Sequence, residues 1–132
     1  MQSTYSRWTR ACALALVTAA TLLPSVSAEA KAGDIVKRGN CSGKADWKLK
    51  ASPDNGRIEV EGEVDSNHNG QKWSWKIKHN GSLSASGTKT TVAPSGSFEV
   101  RRTLVNVRGD DRIVFKATNN RSGQVCRGAL TF

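Results

Sequence analysis

Several groups of side chains in this chain have the types and spacing that chemistry needs, and each meets a specific obstacle. Asp65-Ser66-Asn67-His68-Asn69-Gly70 reproduces the opening half of a calcium loop, D-x-N-x-N-G, whose alternate oxygens wrap a hard cation. The twelfth position, where a bidentate Glu closes such a cage, is Lys76, and a cation there repels calcium. Glu59, Glu61 and Glu63 alternate, so a strand puts all three on one face. Glycoside hydrolysis needs paired carboxylates in a cleft with separate surroundings, whereas these are expected on a solvated side opposite Lys48 and Lys50. His68 and His79 are too few and too far apart for a metal centre, and each reads as a surface histidine. Arg108-Gly109-Asp110 spells an adhesion tripeptide but equally suits a tight turn before a strand. Asn40-Cys41-Ser42, Asn80-Gly81-Ser82 and Asn120-Arg121-Ser122 are glycosylation acceptors only in a eukaryotic secretory route. No nucleophile and base stand out among the many serines. The chain therefore reads as non-catalytic, with no metal site and no cofactor.

The amino-terminal residues carry targeting chemistry. Arg7 and Arg10 precede an apolar run from Ala11 to Leu23, Pro24 breaks it, and small residues follow. This is the layout of a cleavable secretion signal over residues 1–28, cut after Ala28 or Ala30. The run is too short to span a bilayer, so no membrane attachment is expected after cleavage. What remains, residues 29–132, is expected to be one secreted, extracellular domain. Cys12 leaves with the signal, and Cys41 and Cys126 stay. An even pair in an oxidising compartment predicts a disulfide between them. The whole chain carries a formal charge of +9, and losing Arg7 and Arg10 leaves +7. A basic secreted protein tends to meet polyanions.

Positioning must come from strands, because the apolar period is two almost everywhere. Ala45, Trp47, Leu49 and Ala51 alternate with polar residues, and a Ser52-to-Gly56 turn leads to Ile58, Val60, Gly62 and Val64. Trp73, Trp75, Ile77 and His79 follow, closed by Asn80-Gly81, the strongest hairpin signal in the chain. A weak strand near Leu83 to Gly87 and a short piece around Thr88 to Val92 come next. Phe98, Val100 and Leu104 mark another strand, then Ile113, Phe115 and Ala117, and finally Cys126, Gly128, Leu130 and Phe132. The pattern predicts an all-β chain, an antiparallel sandwich of about seven strands. Trp75 belongs in its core. Trp73 points the same way and shares that core reading; the alternative is that its ring, beside the Asp65-to-Gln71 loop, is exposed at the sandwich end, where it would stack on a sugar or another flat apolar ligand.

These residues resemble a known architecture. Trp75, five residues before Asn80-Gly81, is similar to the central Trp strand of an immunoglobulin-like domain. Asp111-x-Ile113-x-Phe115-x-Ala117-x-Asn119 resembles its penultimate strand, with Phe115 where a corner tyrosine usually sits. The likeness runs from about Ile58 to Gly128. The usual inter-sheet cysteines would fall near Gly62 or Val64 and at Ala117, and none is there. Cys41 would instead join the start of the first strand to the last strand, its neighbour in such sandwiches. The secreted part as a whole resembles a group of small actinobacterial proteins without assigned activity. Ser95-Gly96-Ser97-Phe98-Glu99-Val100-Arg101-Arg102 also resembles a segment of the neocarzinostatin-type chromoproteins, which are acidic and carry two disulfides where this chain is basic with one.

The immunoglobulin-like resemblance implies that the strands of Trp75, Phe115 and Cys126 share a sheet. Their outward positions would then hold Lys72, Lys76, Lys78, Arg112, Lys116 and Arg127, with no acid among them. Clustered Lys and Arg attract polyanions in a salt-sensitive way. No exposed aromatics interleave with them, which argues against base-stacking nucleic-acid recognition. The expected function is a non-catalytic secreted module binding an anionic cell-envelope or extracellular polymer. The rivals are a carrier of a small apolar or sugar ligand and a secreted enzyme inhibitor.

Overall fold

Alternating apolar and polar residues become eight antiparallel strands, with no helix among the described residues. The structure is a computed structural model that describes residues 33–132, so the secretion signal read at residues 1–28 lies outside the described residues. The strands are β1 (Ile35–Asn40), β2 (Asp46–Asp54), β3 (Arg57–Asp65), β4 (Lys72–His79), β5 (Ser82–Thr90), β6 (Ser97–Val105), β7 (Arg112–Asn119) and β8 (Val125–Thr131). They form two four-stranded sheets, one in the order β1-β2-β3-β6 and the other in the order β5-β4-β7-β8.

Turn chemistry sets the register. Asn55-Gly56 closes β2 onto β3 with φ of 48° and 77°, and Asn80-Gly81 closes β4 onto β5 with φ of 48° and 85°. Two successive left-handed residues give the hairpin turn whose twist matches that of paired strands. With Ala51 opposite Val60 and Leu49 opposite Gly62, the apolar members of β2 and β3 point inward together. Leu49, Ile58, Val60 and Val64 meet Trp73, Ile77, Ile113 and Phe115 from the other sheet, all fully buried. The large rings obtain their depth from glycines on the opposing sheet. A Cβ at Gly62 would lie 2.6 Å from the Phe115 ring, and one at Gly128 would lie 2.4 Å from the Trp47 ring. Any side chain at either glycine displaces a core aromatic.

Two features differ from the sequence expectation and a third meets it. β1 is an additional strand: Ile35 and Val36 are adjacent rather than alternating, and most of this edge strand is exposed, so it lacks a periodic signal. The weak strand and short piece after Asn80-Gly81 are mainly one nine-residue strand, β5, almost wholly exposed and rich in Ser and Thr. A bulge between Ile77 and Lys78 shifts its pairing with β4. The expected Cys41–Cys126 disulfide is formed: it joins the β1–β2 turn, ahead of β2, to the last strand β8, and ties one sheet to the other. Ser42 N donates to Val125 O at 2.8 Å and Val125 N donates to Ser42 Oγ at 2.9 Å, which clamps the same junction.

Candidate functional site: a basic sheet face

In β4 the sequence Lys-Trp-Ser-Trp-Lys-Ile-Lys-His buries every second side chain and exposes the others. Trp73, Trp75 and Ile77 enter the core, and Lys72, Ser74, Lys76 and Lys78 stand outside. The same alternation exposes Arg112 on β7 and Arg127 on β8, and leaves Lys116 of β7 half-buried. Pairing register then brings cations from three strands into line. Lys76 is opposite Lys116, and Lys116 is opposite Arg127. Adjacent strands lie about 4.8 Å apart, so these three form a row running across the sheet.

Lys76, Lys78, Arg112, Lys116 and Arg127 line one groove of about 400 Å³, with Val114 and Gly81 between them. Lys72 is separate and faces the depression between the 68–71 loop and the 119–122 turn. Among the described residues, none of these six cations has a carboxylate within 4 Å; the ion pairs lie elsewhere. Like charges this close repel, less so in salt, and a multivalent anion relieves the repulsion. Five cations lining one groove without a carboxylate partner among the described residues form an arrangement that can hold an anion.

The other sheet's outer face is self-neutralising. Glu61, only 8% exposed, lies 3.3 Å from Arg101, 3.9 Å from Lys50 and 4.0 Å from Lys48. Lys48 also reaches Glu63 at 2.7 Å, Lys50 reaches Asp34 at 3.2 Å, and Arg101 reaches Glu99 at 3.1 Å. Glu61 first, then Glu59 and Glu99, hold the Arg101 guanidinium above its ordinary pKa by favouring its charge. The expectation of a solvated glutamate face is thus corrected: Glu61 is the covered centre of an ion-pair network.

The ligand-contact alternative for Trp73 and the surface reading of His79 both change. Trp73 is fully buried, its ring 6.3 Å from that of Phe98 and tilted by 50°, so it offers no face to a ligand. Its inward position on β4 outweighs its nearness to the 65–71 loop. His79 is no free surface histidine either: Nε2 pairs with Oδ1 of Asp111, whose side chain is fully buried. Asp111 also exchanges backbone hydrogen bonds with Phe132, at 3.1 and 2.9 Å, and its Oδ2 accepts from Val107 N at 3.3 Å. The Asn106 amide, with its nitrogen toward Asp111, donates to that oxygen at 3.0 Å. The signal for this anchor was in the alternation, which puts His79 inward with Ile77 and Asp111 inward with Ile113.

The remaining motifs are placed as follows. Asp65 Oδ1 accepts from Asn67 N at 3.1 Å, and Ser66 Oγ donates to Gly96 O at 3.0 Å, so this loop is braced by its own polar groups. Arg108-Gly109-Asp110 is exposed between β6 and β7, with Gly109 at φ 91°. Comparison with protein-family models, with curated proteins and with solved structures finds no match to this chain.

Proposed function

We propose that this protein is a secreted, non-catalytic binding module for an anionic polymer of the cell envelope or extracellular space. The carrying observation is the groove in which Lys76, Lys78, Arg112, Lys116 and Arg127 converge without a carboxylate partner among the described residues. Such a surface raises the local concentration of anions and releases their counterions on contact. The burial of Trp73 removes one support for a small-ligand carrier, the stacking ring. The disulfide favours an oxidising compartment, in keeping with export. The order β5-β4-β7-β8 facing β2-β3-β6, with β1 added at the edge, supports the immunoglobulin-like reading of the sandwich.

The test is retention on an immobilised polyanion. Binding is expected to weaken steeply from low to physiological salt, where exposed charges are screened over about 8–10 Å. Lys76→Glu with Lys116→Glu should abolish retention. Lys37→Glu with Lys44→Glu changes net charge equally at exposed positions outside the groove, and should weaken it only slightly. Equal loss in both double variants would mean that bulk charge alone acts, and the site reading fails.

A further inference from the structure

Beside the cation row the sheet carries a second row of a different kind. Ser74 of β4 is opposite Thr88 of β5 and Thr118 of β7, so three hydroxyls cross the sheet in line. This row is two residues along from Lys76 and Lys116, a distance of about 6.6 Å on a strand. Ser74, Ser86, Thr88 and Thr118 line a depression of about 510 Å³ that shares Lys76 and Lys116 with the basic groove. The two are therefore one continuous surface. Ser74 Oγ donates to Asn120 Oδ1 at 2.7 Å, which leaves its lone pairs to accept from outside. Among the described residues, the Thr88 and Thr118 hydroxyls have no hydrogen-bond partner within the protein. Leu83, 60% exposed, adds an apolar spot at the rim.

We infer that the polymer is an acidic polysaccharide lying across the strands, its anionic groups on the row Lys76–Lys116–Arg127 and its sugar hydroxyls on the row Thr88–Ser74–Thr118. This rests on the polyanion reading above and narrows it to one class. A sugar polymer presents charges and hydroxyls in a fixed relation, as this face presents cations and hydroxyls. A polyphosphate chain carries a charge on every unit and no hydroxyls, so the cations dominate its binding and it has nothing to donate to the Ser74 oxygen.

The experiment compares polygalacturonate and long-chain polyphosphate as probes at low salt. Thr88→Val with Thr118→Val removes the hydroxyls while keeping β-branched side chains that suit exposed strand positions. Polygalacturonate affinity should fall about threefold to tenfold, the loss expected for two hydrogen bonds of modest net strength, while polyphosphate affinity stays within about twofold. Thr88→Ser with Thr118→Ser keeps the hydroxyls and should restore binding. Arg127→Gln, in the cation row, should weaken polygalacturonate more than Lys72→Gln, which lies along β4 and off the row; the reverse ranking would overturn the crosswise placement. Equal effects of the valine variant on both probes, or none on either, overturn the polysaccharide assignment. Binding of polyphosphate but not polygalacturonate overturns it too, yet leaves the polyanion reading standing. If neither probe binds, both fall.

Discussion

On the outer face of β1-β2-β3-β6, Lys48, Lys50 and Arg101 converge on Glu61; on the outer face of β5-β4-β7-β8, Lys76, Lys116 and Arg127 converge on one another. The two faces use the same side chains in the same strand geometry. On the first, each of these three cations has a carboxylate within 4.0 Å, and their electrostatics work for the fold. On the second, electrostatics work against the free fold, because neighbouring cations repel. A folded domain of this size has only about 5–15 kcal/mol to set against unfolding, and the repulsion on this face subtracts from it. Salt separates the two cases. Screening weakens attraction on the first face and repulsion on the second.

The largest effects test whether the faces differ independently of the frame they share. Cys41→Ser with Cys126→Ser releases a cross-link spanning 85 residues. Closing a loop that long stabilises by about 4–5 kcal/mol on the chain-entropy model, so a fall of that order in denaturant stability is expected. Polyanion retention, measured where the variant is still folded, should be unchanged. If retention falls while the fold persists, the basic face depends on the sheet-to-sheet tie. Trp73→Ala should cost about 3–5 kcal/mol, as for large buried aromatics generally, and at least as much as Trp75→Ala. A near-neutral Trp73→Ala, read by thermal or urea unfolding, would contradict its burial. Trp73→Phe should cost much less, since Trp73 Nε1 has no acceptor among the described residues and its loss breaks no hydrogen bond.

How far the sequence carried this reading depends on burial. Trp75, Ile77, Phe115 and Ala117 were legible because period two and a buried face are the same physical statement in a sandwich. Asn80-Gly81 was legible because two left-handed residues admit few alternatives. The basic groove was legible through the face of β4, once an architecture placed β7 and β8 beside it. β1 was not, and β5 was legible only in pieces, because exposed edge strands bury too little to need alternation. The Glu61 network and the His79–Asp111 anchor were misread for another reason. Both put charged or titratable groups under cover where water was assumed, although the alternation already set His79 inward with Ile77 and the glutamates opposite Lys48 and Lys50. The hydroxyl row was invisible because Ser74, Thr88 and Thr118 come from three strands, which only register aligns.

A middle-sized effect sharpens the paired face. Glu61→Gln keeps the shape of the side chain but leaves Lys48, Lys50 and Arg101 gathered around a neutral amide. Partly covered pairs are worth more than exposed ones and less than buried ones, so a loss of about 1–2 kcal/mol is expected at low salt. Raising the salt should stabilise the variant relative to the parent, because screening reduces an attraction that only the parent has. A difference independent of salt would show that packing rather than charge makes Glu61 matter.

The smallest effect has the opposite sign, and for that reason discriminates best. Lys116 stands between Lys76 and Arg127, with a like charge on either side and no carboxylate within reach among the described residues. Lys116→Gln removes two repulsions and breaks no ion pair. Like charges directly opposite on neighbouring strands destabilise by a few tenths of a kcal/mol, so the variant should be more stable than the parent by about 0.3–0.6 kcal/mol at low salt. At about 1 M salt, where screening acts within some 3 Å, the gain should vanish. The same variant should bind polyanion less well, so stability and binding move in opposite directions at one residue. Paired denaturation and retention measurements across a salt series check this. If Lys116→Gln destabilises at every salt concentration, its aliphatic stem is serving the fold, and the contrast between the two faces is weaker than their charges imply.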